Sequence, residues 1–242
     1  MSGSITLENR FGVNKMELIS LKYAIFVIVL LVLYYCFPKK YRWYVLLAGS
    51  MAYYVIICKW YVLFIIFTIC TTYGSTIWID KLLKKQNAIV KSHKEDWDRQ
   101  TRKEYKEKGR KKRVAVMLFA LLCNFGILAF LKYIPYAGEL GLLLPLGISF
   151  YTFQSMGYVM DVYREIVEPE KNFLKVALFV SFFPQIIQGP IAIYDKLAGQ
   201  LYEGHSLRLE NLQKGALLVL WGVMKKLVIA DRAVNIINFV MD

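Results

Sequence analysis

Residues 145–195 read PLGISFYTFQSMGYVMDVYREIVEPEKNFLKVALFVSFFPQIIQGPIAIYD. Two apolar runs dominate this stretch, and both carry residues that a lipid layer excludes. Tyr151, Gln154, Tyr158 and Asp161 recur at three- and four-residue spacing, which places them on one side of a helix. Pro184, Gly189 and Pro190 interrupt the second run, with Gln185 and Gln188 beside them. Polar side chains and broken backbone persist at membrane depth only where they are buried in protein or line a wet cavity. The stretch is therefore either the bordering wall of a functional site or a polar seam that glues helices together.

The surrounding composition fits this reading. The chain has 242 residues, 57% of them hydrophobic, and a mean hydropathy of +0.41. That is the composition of an integral membrane protein. The formal charge of +13 does not argue for nucleic acid, because an excess of lysine and arginine in such a protein reports topology. Cys36, Cys58, Cys70 and Cys123 lie in or at the ends of apolar runs, without CxxC spacing or a histidine nearby. They read as small buried hydrophobes, and no metal site is expected.

The expected fold is all-α: a polytopic transmembrane helical bundle with a re-entrant or broken helix. Residues 1–19 are a mixed, polar lead-in, and residues 20–79 hold three apolar spans. Residues 80–113 carry fourteen lysines and arginines against six carboxylates. This segment is expected to be a basic cytoplasmic loop, partly helical, that fixes orientation; the alternative is a docking site for anionic headgroups or an acidic partner. His93 within it is expected to be solvated. The basic cluster Lys39, Lys40 and Arg42 agrees with the loop in sign and side, so the N-terminus is expected outside. Residues 114–242 continue with a fourth span to Ile134, an outer turn, and a return through 141–160. Phe173 to Ile193 either crosses or turns back as a re-entrant loop. Val234–Met241 starts a run too short to cross, from which the chain is expected to be the first part of a longer architecture.

The runs PLGISFYTFQSMGYVMDVYRE, FFPQIIQGPIAIYDKL and VMKKLVIADRAV resemble, in order, signatures of the bacterial membrane-bound O-acyltransferases (MBOAT family). The likeness is greatest to the alginate O-acetyltransferase-like branch and more distant to the D-alanyl transferase of teichoic acids. It covers roughly Leu140 to Asp242. It implies an incomplete MBOAT core that transfers an acyl group, an acetyl, to hydroxyls of an exported polysaccharide across the membrane. The implied acyl donor is acetyl-CoA or another thioester, acting as substrate, with no bound cofactor. The implied setting is a multi-pass protein of the bacterial cytoplasmic (inner) membrane. Membrane lipids, the polysaccharide acceptor and a periplasmic or surface acetylation protein are the implied partners. A transporter or flippase, for which broken helices are equally natural, and a non-catalytic membrane scaffold are the alternatives.

The resemblance implies a membrane-embedded histidine as base, well after the segment matching VMKKLVIAD; histidine suits that role because its pKa lies near working pH. His93 and His205 match no catalytic motif, so this stretch alone is expected to be inactive. For the remaining candidates two readings stay open. Tyr151, Gln154 and Tyr158 either line the donor's approach or join helices. Asp161 and Arg164 either orient the donor's carrier or pair with each other. Gln185, Gln188 and the Gly189-Pro190 break either offer amides to the reacting carbonyl or make a structural turn. Gly147-Ile148-Ser149 lacks the second glycine of a nucleophile elbow. Replacing the family histidine in the intact protein should abolish acetylation of the exported polymer while the protein stays in the membrane; unchanged acetylation would show the base to be assigned wrongly.

Overall fold

The computed structural model describes residues 21–93, 97–133, 145–230 and 232–233. The lead-in 1–19, the outer turn 136–140 and the terminal run 234–241 lie outside these residues. Every regular element among the described residues is a helix. They are α1 (Leu21–Cys36), α2 (Arg42–Cys58), α3 (Val62–Ser92), α4 (Arg99–Tyr133), α5 (Ile148–Tyr163), α6 (Phe173–Ser181), α7 (Phe183–Gln188), α8 (Tyr194–Tyr202) and α9 (Leu209–Met224). A π-type turn, Lys225–Ala230, continues α9.

Chain punctuation sets the helix ends. Pro38, with no N–H to extend α1, leads into a 3-10 turn over Lys39–Tyr41. Lys59, at φ 47°, closes α2 in a left-handed conformation and donates to the Val55 carbonyl. Asn172 caps α6 by accepting from the Leu174 N–H at 3.0 Å.

Much of the basic segment 80–113 is helical: its first part completes α3 at Ser92 and its last part opens α4 at Arg99. Lysine, arginine, glutamine and glutamate are good helix formers, so charge does not prevent helix here. Contacts four residues apart reinforce it: Lys84 pairs with Asp80 at 2.6 Å, and Gln100 donates to Glu104 at 3.1 Å. His93 caps α3 from an exposed position and stacks on Trp97 with ring centres 5.0 Å apart.

Within the described residues, the segments Lys39–Ser92 and Arg99–Tyr133 contain helices long and apolar enough to cross a bilayer. Only 28% of the most apolar window in each is buried, and Leu63, Ile66, Leu118, Phe119 and Leu122 are all exposed. Cys36 and Cys70 share this outward distribution, and of the four free thiols only Cys58 is fully buried. The expectation of uniformly buried cysteines therefore fails for Cys36 and Cys70, because these helices bury one stripe rather than their whole surface.

α3, α4 and α5 pack on one another, and α2 and α3 cover α6. The inner face of α3 carries a row of small hydroxyls, with Thr68, Thr72, Ser75 and Thr76 all buried. Small side chains let helix backbones approach closely. Asn124 of α4 bridges to this row, donating to Thr71 Oγ1 at 2.9 Å. At the polar end, Arg113 of α4 pairs with Glu165, just past α5, at 2.8 Å. α9 buries none of its residues.

One glycine locks the entry to α5. Gly147 has φ +68°, and a Cβ there would collide with the Ile186 carbonyl oxygen and its Cγ2. The start of the first apolar run thus sits directly on the backbone of the second. Gly147→Ala should lower stability by roughly 1–3 kcal/mol, the cost of a strained left-handed residue plus displacement of α7. Thermal unfolding in detergent measures this; an unchanged midpoint would show that the two runs are not in backbone contact.

Candidate functional site

The candidate site is the seam between α5 and the interrupted helix α6–α7. An uninterrupted helix would give the Phe179 carbonyl the N–H of Phe183, and the Val180 carbonyl the N–H of residue 184. Residue 184 is proline and has no N–H to give. The backbone turns at Phe182, with φ −58° and ψ 105°, and α7 restarts with Pro184 in its first turn. Ser181 adds to the bend, its hydroxyl donating to the Ala177 carbonyl four residues back at 2.7 Å.

The freed groups find partners on neighbouring helices. Gln154 Nε2 donates to the Phe179 carbonyl at 2.8 Å, taking the place of the missing helical donor. The Phe183 N–H turns instead to Ser50 Oγ of α2, at a long 3.4 Å. An unpaired backbone group in such a setting costs as much as a lost hydrogen bond, so both contacts are required rather than decorative. Gln154 is 3% exposed, which places its amide inside the protein.

Tyr158 acts one turn further along α5. Its hydroxyl accepts from the Glu170 N–H at 2.8 Å and so pins the loop that leads into α6. Its ring stacks on Tyr194 with centres 4.1 Å apart and meets Phe179 edge-on at 5.8 Å. The chain after the break returns beside α6. Tyr194 meets Phe179 at 4.9 Å, and the Tyr202 hydroxyl donates to the Lys175 carbonyl at 2.8 Å. The far end of α8 therefore lies level with the first turn of α6. Beyond it, the His205 carbonyl accepts from Arg42 at the start of α2.

The other face of the seam is polar and unsatisfied. Tyr151 is buried, its ring edge-on to Tyr54 with centres 6.3 Å apart. The hydroxyls of Tyr53, Tyr54 and Tyr151, the Ser155 hydroxyl and Gln185 Oε1 are buried without a well-formed hydrogen bond to the protein. Buried polar atoms are normally paired, and a group of exceptions marks a place where water or a ligand completes them. Gln188 ends α7; its side chain lies outside the described residues.

Asp161 and Arg164 form no ion pair among the described residues. The chain leaves the helical path at Glu165, which has φ 63°, and it is Glu165 that meets Arg113. His93 and His205 are both exposed, and the His205 ring contacts the Gln200 carbonyl at 3.0 Å. Sequence reasoning missed Ser50, Tyr54 and Tyr194. The signal for Ser50 was a hydroxyl inside the apolar run of α2; for the two tyrosines there was none apart from their polar atoms.

Comparison with known proteins finds partial relatives that are named as O-acetyltransferases or O-acetylases. The chain is 30% identical over 164 residues, 52% of its length, to the peptidoglycan O-acetyltransferase of Helicobacter pylori. It is 40% identical over 89 residues, 37% of its length, to the probable alginate O-acetylase AlgI of Pseudomonas syringae pv. tomato. It is 38% identical over 90 residues, also 37% of its length, to the probable alginate O-acetylase AlgI of Pseudomonas aeruginosa. The matched stretches span 31%, 17% and 17% of those three proteins, so the chain matches less than a third of each. No protein-family model matches the chain, and no solved structure does.

The seam makes a direct prediction. Gln154→Leu keeps the volume but leaves the Phe179 carbonyl without a donor, and should cost about 1–3 kcal/mol. Unfolding in mixed micelles would register it, together with faster amide exchange at residues 182–186. No change in either would mean that Gln154 does not hold the break.

Proposed function

Homologous over part of its length to bacterial polysaccharide O-acetyltransferases, this chain is, we propose, the portion of a multi-pass membrane O-acyltransferase that frames the path of the reactants. The reaction would move an acetyl group from a thioester, such as acetyl-CoA, to a hydroxyl of an exported polysaccharide. The hydroxyl oxygen attacks the thioester carbonyl, its proton passes to a base, and the thiolate leaves. Both described histidines are exposed, so the base is assigned to neither.

One observation carries the reading. Gln185 Oε1 and the hydroxyls of Tyr54, Tyr151 and Ser155 are each buried without a well-formed hydrogen bond to the protein, and the helix packed against α5 is broken at Phe182. A seam that only joined helices would satisfy its own polar atoms, as Gln154 and Tyr158 do. On this reading Gln154, Tyr158 and Ser50 are positioning residues that hold the break open. Tyr151 and Gln185 face the reactants, and Gln188 joins them from the end of α7. Asp161 and Arg164, unpaired with each other at the polar end of α5, are available to the donor's carrier.

We further read residues 173–202 as a hairpin that enters the bilayer and returns on the side it entered. The Tyr202 hydroxyl on the Lys175 carbonyl supports this, as does the contact of His205 with Arg42. The exposed apolar faces of α3 and α4 support the membrane setting. The excess of lysine and arginine at 80–113 supports a cytoplasmic position for that end in the inner membrane. A periplasmic or surface partner would then receive or complete the transfer.

Two measurements test this. Tyr151→Phe removes a hydroxyl that makes no well-formed hydrogen bond and faces the Tyr54 side chain, so a structural role predicts little loss of stability. In membranes carrying the intact acetylating assembly, it should lower acetyl transfer about tenfold, the order of effect of losing one hydrogen bond in a reaction site. Full activity would return Tyr151 to a packing role. Cysteines placed at Lys171 and Glu203 should be labelled from the same side of the membrane; labelling from opposite sides would replace the hairpin with a crossing.

A further inference from the structure

The polar ends of α3 and α4 enclose a cleft of about 620 Å³, away from the seam. That is the size range of pockets that hold small ligands. Its lining includes six lysines and arginines, all from α4, against two carboxylates, Glu107 and Glu165. Charges on a helical hairpin usually point away from the partner helix, where water solvates them. Here Arg102, Lys106, Arg110 and Arg113 recur at three- and four-residue spacing, so one face of α4 carries them into the cleft.

The cleft is built rather than incidental. Gly109 of α4 has no side chain, and a Cβ there would collide with the amide of Gln86. The space lets Gln86 enter from α3 and donate to the Lys106 carbonyl at 3.1 Å. Gln86 and Arg113 are 6% and 8% exposed, and both line the cleft. Each keeps one polar atom unpaired: Gln86 Oε1, an acceptor, and Arg113 Nε, a donor. Glu165 engages only Nη1 of Arg113. A ligand completing this site brings negative charge with acceptor oxygens for Arg113, and a hydroxyl or amine for Gln86.

Position selects among such ligands. Arg113 is the last residue before the apolar half of α4, and the exposed side chains of Leu118, Phe119 and Leu122 begin within three turns of it. We propose that this cleft binds the headgroup of an anionic phospholipid bearing a hydroxylated headgroup, a phosphatidylglycerol, with its acyl chains along the apolar surface of α4. The phosphate would sit against Arg113 and Arg110, and a glycerol hydroxyl would donate to Gln86. The proposal rests on the membrane setting given above and not on the acyltransferase reading.

Native mass spectrometry of the purified chain, released from mixed vesicles of phosphatidylglycerol and phosphatidylcholine, tests it. Each preparation is first shown to resist carbonate extraction, which checks the membrane setting separately. The chain should retain phosphatidylglycerol in preference to phosphatidylcholine. The double variant Lys106→Gln/Arg110→Gln alters exposed residues only and should reduce retention about thirtyfold, given the attraction of two cations at an anionic surface. Lys81→Gln/Lys91→Gln removes the same charge from exposed positions outside the cleft and should leave retention unchanged. An equal fall in both double variants would show diffuse attraction and overturn the proposal. Displacement of the lipid by millimolar soluble pyrophosphate would also overturn it, assigning the cleft to a soluble phosphate ester.

Discussion

The fold depends on a broken helix that must stay hydrogen-bonded. Between Phe179 and Pro184 the chain cannot continue as a helix, because proline supplies no N–H and its ring clashes with the preceding turn. The carbonyl and N–H groups released there lie inside the protein, where water does not reach them. Gln154 from α5 and Ser50 from α2 supply the substitutes. Three helices are thereby tied to one defect. Gly147 against Ile186 and Tyr158 against Glu170 add backbone-level contacts at either end. Such a defect survives when the arrangement around it is worth more than the helix it interrupts.

The polar residues of α5 therefore divide by what they touch. Gln154 and Tyr158 are engaged with backbone on the neighbouring strand of chain and hold it in place. Tyr151 meets Tyr54 of α2 edge-on, and the hydroxyls of both, with that of Ser155, are buried without a well-formed hydrogen bond. The first group explains how the broken segment is kept. On the proposed reading, the second is where a polar acceptor and a thioester would meet. Acyl transfer needs donors fixed toward a developing oxyanion before reaction begins, and a rigid break presents such groups without reorganisation.

Much of this was legible in the residues. The spacing of Tyr151, Gln154 and Tyr158 put them on one face, and the structure buries all three. Pro184 and Gly189 marked the interruption, and the break falls beside the first of them. The three motifs pointed to acetyltransferases, as the partial relatives do. The partners were not legible. Nothing in the sequence says that Gln154 meets Phe179 rather than a side chain, or that Ser50 closes the break from more than a hundred residues away. Those contacts come from tertiary packing. The basic segment reads as a partly helical loop; how far α3 and α4 extend into it, to Ser92 and from Arg99, follows from helix propensity rather than from charge. For Asp161 and Arg164 the spacing left two readings open, pairing or a role toward the donor's carrier; no ion pair joins them among the described residues, and Glu165, at positive φ, is the residue that meets Arg113.

The central claim is that Gln154 and Ser50 serve one and the same defect. A double-mutant cycle with Gln154→Leu and Ser50→Ala, read by reversible unfolding in mixed micelles, tests it most directly. Two residues holding a single break should be coupled by about 1 kcal/mol or more. Effects that add within about 0.5 kcal/mol would mean that the two act independently, and the break would then need another explanation.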